Sequence, residues 1–151
     1  MPGLPASMTP DEARKRFAAA SVARLATVDP DGHPHVVPVV FAVLESFVYI
    51  AVDHKPKTSR DLRRLRNIRT TPAVSVLVDH YEDEWTRLWW ARADGSATVV
   101  DDPAAMTTPI DLLVAKYPQY QESRPSGPVI AIEVTRWTGW SFSDSDEPTQ
   151  D

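Results

Sequence analysis

Seven of the sixteen Lys and Arg residues fall between positions 55 and 69: Lys55, Lys57, Arg60, Arg63, Arg64, Arg66 and Arg69. Asp61 is the one acid among them. The stretch follows a strand-like apolar run, residues 47–52, and opens a short helix for which Thr58 is the capping residue, with Asp61 three positions on. A lysine-bearing turn between a strand and a helix N-terminus brings cationic side chains and free backbone N–H groups to one spot, and that chemistry takes phosphate. Lys55 and Lys57 flank a stiff Pro56, so they and Thr58 are the first candidates, with Ser59 beside them. The chain as a whole is acidic, with a net charge of −5. A local basic site on an acidic protein suits a specific anionic ligand better than a polyanion, so nucleic acid is not expected as a partner.

Beyond the turn, Arg60 and Arg64 share one helix face, as do Arg63 and Arg66. Most of these are expected to be solvated, and Arg60 is the candidate for meeting carboxylates on a ligand. His33 and His35 have the His-x-His spacing of a metal pair, but no third ligand is evident and no metal is expected. Five tryptophans suit core or interface positions, and Trp85 and Trp140 are the candidates for a substrate pocket. Pro38 interrupts an apolar strand, which either bends the sheet or leaves backbone groups for a ligand. Nucleophile-elbow, Walker and glycine-rich dinucleotide motifs are absent, and with no cysteine there is neither a disulfide nor a thiolate. No catalytic residue is assigned.

These residues need a frame. At 151 residues, 42% hydrophobic, the chain is long enough for one domain, expected over residues 9–142. Residues 1–8 read as a loose leader and 143–151 as an acidic disordered tail. No apolar run approaches the length of a membrane span, and residues 1–10 lack a signal-peptide layout, so a cytoplasmic protein with no membrane partner is expected. Thr9, Pro10 and Glu12 mark a helix start. Strand patterns follow at 22–28, 35–44 and 47–53, then the basic helix at 58–67 and strands at 73–80, 85–93, 96–100 and 128–137. Asp29-Pro30-Asp31-Gly32 is a turn, and Asp94-Gly95 a bulge or bend. A helical region from Asp102 is expected to break at Pro109 and end near Tyr117. Short strands with few helices and tight turns describe a small antiparallel barrel, mainly β with flanking helices. Such a barrel encloses little space, so its sites are expected outside, in a groove completed by a second subunit.

Three segments in this order carry a resemblance: residues 23–39 (ARLATVDPDGHPHVVPV), 53–64 (DHKPKTSRDLRR) and 72–78 (PAVSVLV). The chain resembles the split-barrel flavin and deazaflavin oxidoreductase superfamily named for pyridoxine phosphate oxidase. The Trp89 region, Lys116-Tyr117-Pro118 and Trp140 look like its mycobacterial and actinobacterial branch, which uses coenzyme F420. The resemblance implies a homodimeric FMN-binding-type split β-barrel with two cofactor sites at the subunit interface. It places the cofactor phosphate at Lys55, Lys57, Thr58 and Ser59 and the ring against Val37, Pro38 and Val39. It implies hydride transfer between a deazaflavin and a small unsaturated or quinone-like substrate. FMN in place of F420, or a non-catalytic cofactor- or haem-binding barrel, are the alternatives.

Overall fold

The computed structural model describes residues 6–52 and 59–142. The expectations for Lys55, Lys57 and Thr58, for the first five residues and for the tail from 143 lie outside the described residues. Ala6–Ser7 (β1) pairs with the last strand, so the ordered domain begins earlier than the loose leader allowed for.

The first helix, α1 (Pro10–Ala19), starts where its capping chemistry dictates. Thr9 Oγ1 accepts from Glu12 N at 3.1 Å, and Glu12 Oε1 accepts from Thr9 N at 2.9 Å. The helix buries Ala13 and Phe17, and the Phe17 ring packs 4.9 Å from Phe41 and 5.2 Å from Trp137. Strands β2 (Ala23–Val28) and β3 (Pro34–Val39) form a hairpin around the Asp29–Gly32 turn, where Gly32 sits at φ 88°. The Asp29 carboxylate accepts from His33 N at 2.8 Å and Asp31 N at 2.9 Å, and the bond from His33 is the main cause of its lowered pKa.

The remaining elements are β4 (Ala42–Leu44), β5 (Phe47–Ala51), α2 (Ser59–Thr70), β6 (Ala73–His80), β7 (Trp89–Val100), α3 (Pro103–Lys116), α4 (Pro118–Glu122) and β8 (Val129–Ser141). The antiparallel sheet runs β3-β2-β6-β7-β8-β5-β4, with β1 added to β8. Its two end strands, β3 and β4, are neighbours in sequence. The sheet is thus rolled about one core and left split between them. Val76, Val78, Leu25, Val48, Ile50, Ile130 and Ile132 alternate inward along their strands and are fully or almost fully buried. Among the described residues, no helix is long and apolar enough to cross a membrane.

Three expectations need correction. The single strand over 35–44 is two strands. Phe41 turns into the core between them, and its N–H and C=O bond to the Tyr117 hydroxyl (3.1 and 3.0 Å) instead of a ladder. The strand over 85–93 begins only at Trp89. Residues Trp85–Arg87 form a 3₁₀ turn held by Thr86 Oγ1 to Glu84 Oε2 (2.7 Å) and Arg87 Nε to Glu82 Oε2 (3.3 Å), and these local bonds override the alternating pattern. The helix does not break at Pro109. α3 runs through it, and the buried proline ring gives packing where the N–H is lost.

Lys116 ties α1 to the β3–β4 crossing. Its Nζ donates to Phe41 O at 3.0 Å and Ala18 O at 3.4 Å, and lies 3.8 Å from the Phe41 ring centroid. Burial pushes the amine down to about 8, against carbonyl contacts that favour the ammonium. The unfolded chain then holds more protons than the folded one between about pH 8 and the ordinary lysine value of 10.5, so this group's penalty on folding is full below 8 and is relieved as pH rises through that window. Thermal melts at pH 7 and pH 9.5 will show the wild type gaining on Lys116→Met as pH rises. Parallel pH dependence would overturn this reading.

Candidate functional site

The basic helix α2 packs on β2 and β7, and between the helix and β3 is a cleft of about 290 Å³. Leu65 and Ile68 anchor the helix to the core with exposures of 7% and 2%. This anchoring turns the Arg63, Arg64 and Asn67 positions, spaced at three and four residues, toward β3. The opposite wall is β3 itself, with His35, Val36, Val37 and Pro38, and Thr27 of β2 closes the floor.

The polar groups are linked in two sets. Asn67 is 1% exposed and donates from Nδ2 to Thr27 Oγ1 at 3.1 Å, and Thr27 is itself 3% exposed. Among the described residues Asn67 Oδ1 has no hydrogen-bond partner. Nearer the surface, Arg63 Nη1 is 3.5 Å from His35 Nδ1, and His35 Nε2 is 3.7 Å from Asp29 Oδ2. The Asp29 carboxylate, already fixed by the turn, thus faces one nitrogen of the imidazole, and the arginine faces the other. Asp29, Asp31 and His33 also bring their ligand-type atoms within 4.8 Å of one another on the hairpin turn. The first two steps of that gathering are turn hydrogen bonds, which account for it without an ion.

β3 has one ladder partner, β2, among the described strands. Among the described residues nothing pairs with its other edge, which is where Pro34 and Pro38 can sit without costing a ladder bond. Val36 on this strand is 63% exposed.

The expected ring-binding residues divide. Val37 and Pro38 line the cleft, whereas the Val39 side chain is 6% exposed in the barrel core, so only its backbone is available to a ligand. Ser59 and Arg60 begin α2, the helix that walls the cleft. Trp85 and Trp140 are not in the cleft. Trp85 is 66% exposed on the 3₁₀ turn, and Trp140 lies on β8 opposite Trp90, its ring 6.3 Å from Phe142. Thr27 and Asn67 escaped the sequence reading. Thr27 is an inward position of an ordinary strand, and Asn67 looks like a helix end, although α2 continues to Thr70. A polar residue at an inward helix position, between Leu65 and Ile68, was the available signal.

Fold and cleft together define a split β-barrel of the FMN-binding type. The chain belongs to the pyridoxamine 5'-phosphate oxidase family, whose match spans residues 9–141. Among solved structures it is similar to the conserved protein Rv2991 of Mycobacterium tuberculosis, at 21% identity and TM-score 0.74, over 95% of this chain and 91% of that one. A FAD-binding protein of Mesorhizobium loti aligns at 23% identity and TM-score 0.68, over 91% and 97%. A haem-binding protein of Mycobacterium smegmatis aligns at 17% identity and TM-score 0.70, over 89% and 54%. No curated protein matches the chain in sequence.

Proposed function

We propose that this protein is a coenzyme F420-dependent oxidoreductase that works as a homodimer, with the cofactor ring in the cleft between β3 and α2. The observation that carries the reading is the facing of two segments singled out for different reasons: the Val37-Pro38 strand and the arginine-rich helix form opposite walls of one cleft. The cofactor's phosphate would lie at Lys55, Lys57, Thr58 and Ser59, with Arg60 directed to the oligoglutamate tail. Affinity that rises with tail length at low salt would support the role of Arg60.

When bound, a reduced deazaflavin would supply a hydride to a small unsaturated or quinone-like acceptor and be left oxidised. The chain's own task is to seat and orient the ring and to keep water away. Val37 and Pro38 offer it an apolar wall, and the Arg63 and Arg64 guanidiniums offer donors to its carbonyl edge. The cleft is small and open beside a free strand edge, with Val36 exposed next to it. A second copy laid along that edge would supply the missing wall, which supports the homodimer.

The Mesorhizobium relative supports a flavin as the competing cofactor and the mycobacterial haem-binding relative a haem. Fluorescence titration with F420 and with FMN at moderate salt separates these. Tight F420 binding with little FMN binding is the expected result. A preference for FMN would make the protein a flavin enzyme, and binding of neither would cancel the oxidoreductase reading.

A further inference from the structure

We infer that Asn67 is a specificity-determining residue of the cleft, its side-chain amide oxygen accepting a hydrogen bond from a ring N–H of a planar cyclic imide. The inference rests on the reading of the cleft as the cofactor-ring site, and it assigns to a helix side chain the part that strand backbone near Pro38 was expected to play.

Asn67 is 1% exposed, and one half of its carboxamide is engaged by Thr27 at 3.1 Å. The other half, Oδ1, is buried, has no partner among the described residues and belongs to a residue that lines the cleft. A buried polar atom left without a hydrogen bond is costly, and native structures rarely keep one without a use. The Thr27 contact stops the carboxamide from swinging away to find another partner, so the oxygen is held in place for a donor.

The neighbouring groups narrow the class of ligand. Arg63 lies one helical turn before Asn67 on the same face and carries donors only. An acceptor and a set of donors beside each other match the alternating N–H and C=O groups of an imide edge. Val37 and Pro38 form an apolar wall on the facing strand, as a flat heterocycle needs. The spacing along the helix agrees. Asn67 is eight residues past Ser59, so about 12 Å along the axis at 1.5 Å per residue. A phosphate at the helix start and a ring edge at Asn67 would be joined by a short polyol chain lying along α2.

The test compares FMN with its N3-methyl derivative, and F420 with its correspondingly methylated form, on the unaltered protein and on Asn67→Ala. Methylation removes the donor and puts a methyl group against the buried oxygen. On the wild type this is expected to lower affinity by roughly tenfold or more, and on Asn67→Ala the methylated and unmethylated ligands should bind within about twofold of each other. If methylation costs both proteins the same, or costs the wild type nothing, the role of Asn67 is overturned while the cofactor site stands. If the wild type binds none of these compounds, the ring site and this inference fall together. The comparison on the wild type needs no variant, so it decides the matter even if Asn67→Ala folds poorly. A thermal melt identifies that case, and Asn67→Ser then replaces it.

Discussion

Replacing Lys57 with alanine is expected to weaken binding of F420 by roughly ten- to hundredfold and leave its dephosphorylated fragment almost unaffected. A hydrogen bond to a charged group contributes about 1.5–3 kcal/mol, which sets that range. The loss should stop there, because the helix start at Ser59 retains its amide donors and its dipole, which still contribute about 0.3–1 kcal/mol to an anion. Lys55→Ala should behave alike on the other side of Pro56. The effect should shrink as salt is raised if the turn is open to solvent. Isothermal titration of the intact cofactor and its dephosphorylated fragment against both proteins gives the answer. Equal weakening of the two ligands would mean that Lys57 supports the turn and not the phosphate.

This experiment and the Asn67 comparison probe opposite ends of one ligand. On the proposed reading Lys57 would contact the phosphate and ignore the ring, whereas Asn67 would contact the ring and ignore the phosphate. Their separate ligand dependence distinguishes a bound cofactor lying along α2 from a basic turn and a cleft that have nothing to do with each other.

What the sequence made legible follows from how local each signal is. The capping box at Thr9 and Glu12 and the Asp29–Gly32 turn are set by residues a few positions apart, and they form as read. The cleft was half legible for the same reason. Pro38 declared itself by being wrong for an interior strand, and β3 is an edge strand. Asn67 gave no such sign, since its partner Thr27 is forty residues away and the meaning of the pair depends on a helix crossing two strands. The break at Val40 and Phe41 was hidden likewise. Their apolar pattern continues the strand, and what ends it is the Tyr117 hydroxyl, seventy-six residues on. Trp85 misled in the other direction. Its alternation with Arg87 and Trp89 is real in the sequence, but the acids Glu82 and Glu84 supply side-chain bonds that close a 3₁₀ turn first.

Gly95→Ala is expected to be the most destabilising small substitution in the barrel. β7 and β8 pair along twelve residues of β7, and their register shifts once, between Asp94 and Gly95. The Asp94-Gly95 pair thus makes the bulge its composition suggested, inside one continuous strand and not between two. A Cβ at Gly95 would strike the Glu133 carbonyl oxygen and sit 3.0 Å from the Val134 Cα, and both are backbone atoms of the facing strand. Neither can rotate aside, so the strands must part or the bulge must move. The surroundings resist both. Asp94 accepts from Ser75 Oγ at 2.6 Å and Arg92 Nε at 3.1 Å, and its carbonyl from Thr135 Oγ1 at 3.2 Å. Overpacking costs about 1–3 kcal/mol and occasionally more, and with two backbone atoms in the way the upper end is expected here. For a domain of this size that lowers the melting temperature by roughly 5–15 °C. Gly32→Ala is the comparison that separates the cause. Gly32 has φ 88° but nothing within 4 Å of an added Cβ, so its substitution costs only the left-handed backbone penalty, about 1–2 kcal/mol. Calorimetric melts that place Gly95→Ala at or above Gly32→Ala in stability would show that β7 and β8 can separate at the bulge, and the rigid seam described here would be wrong.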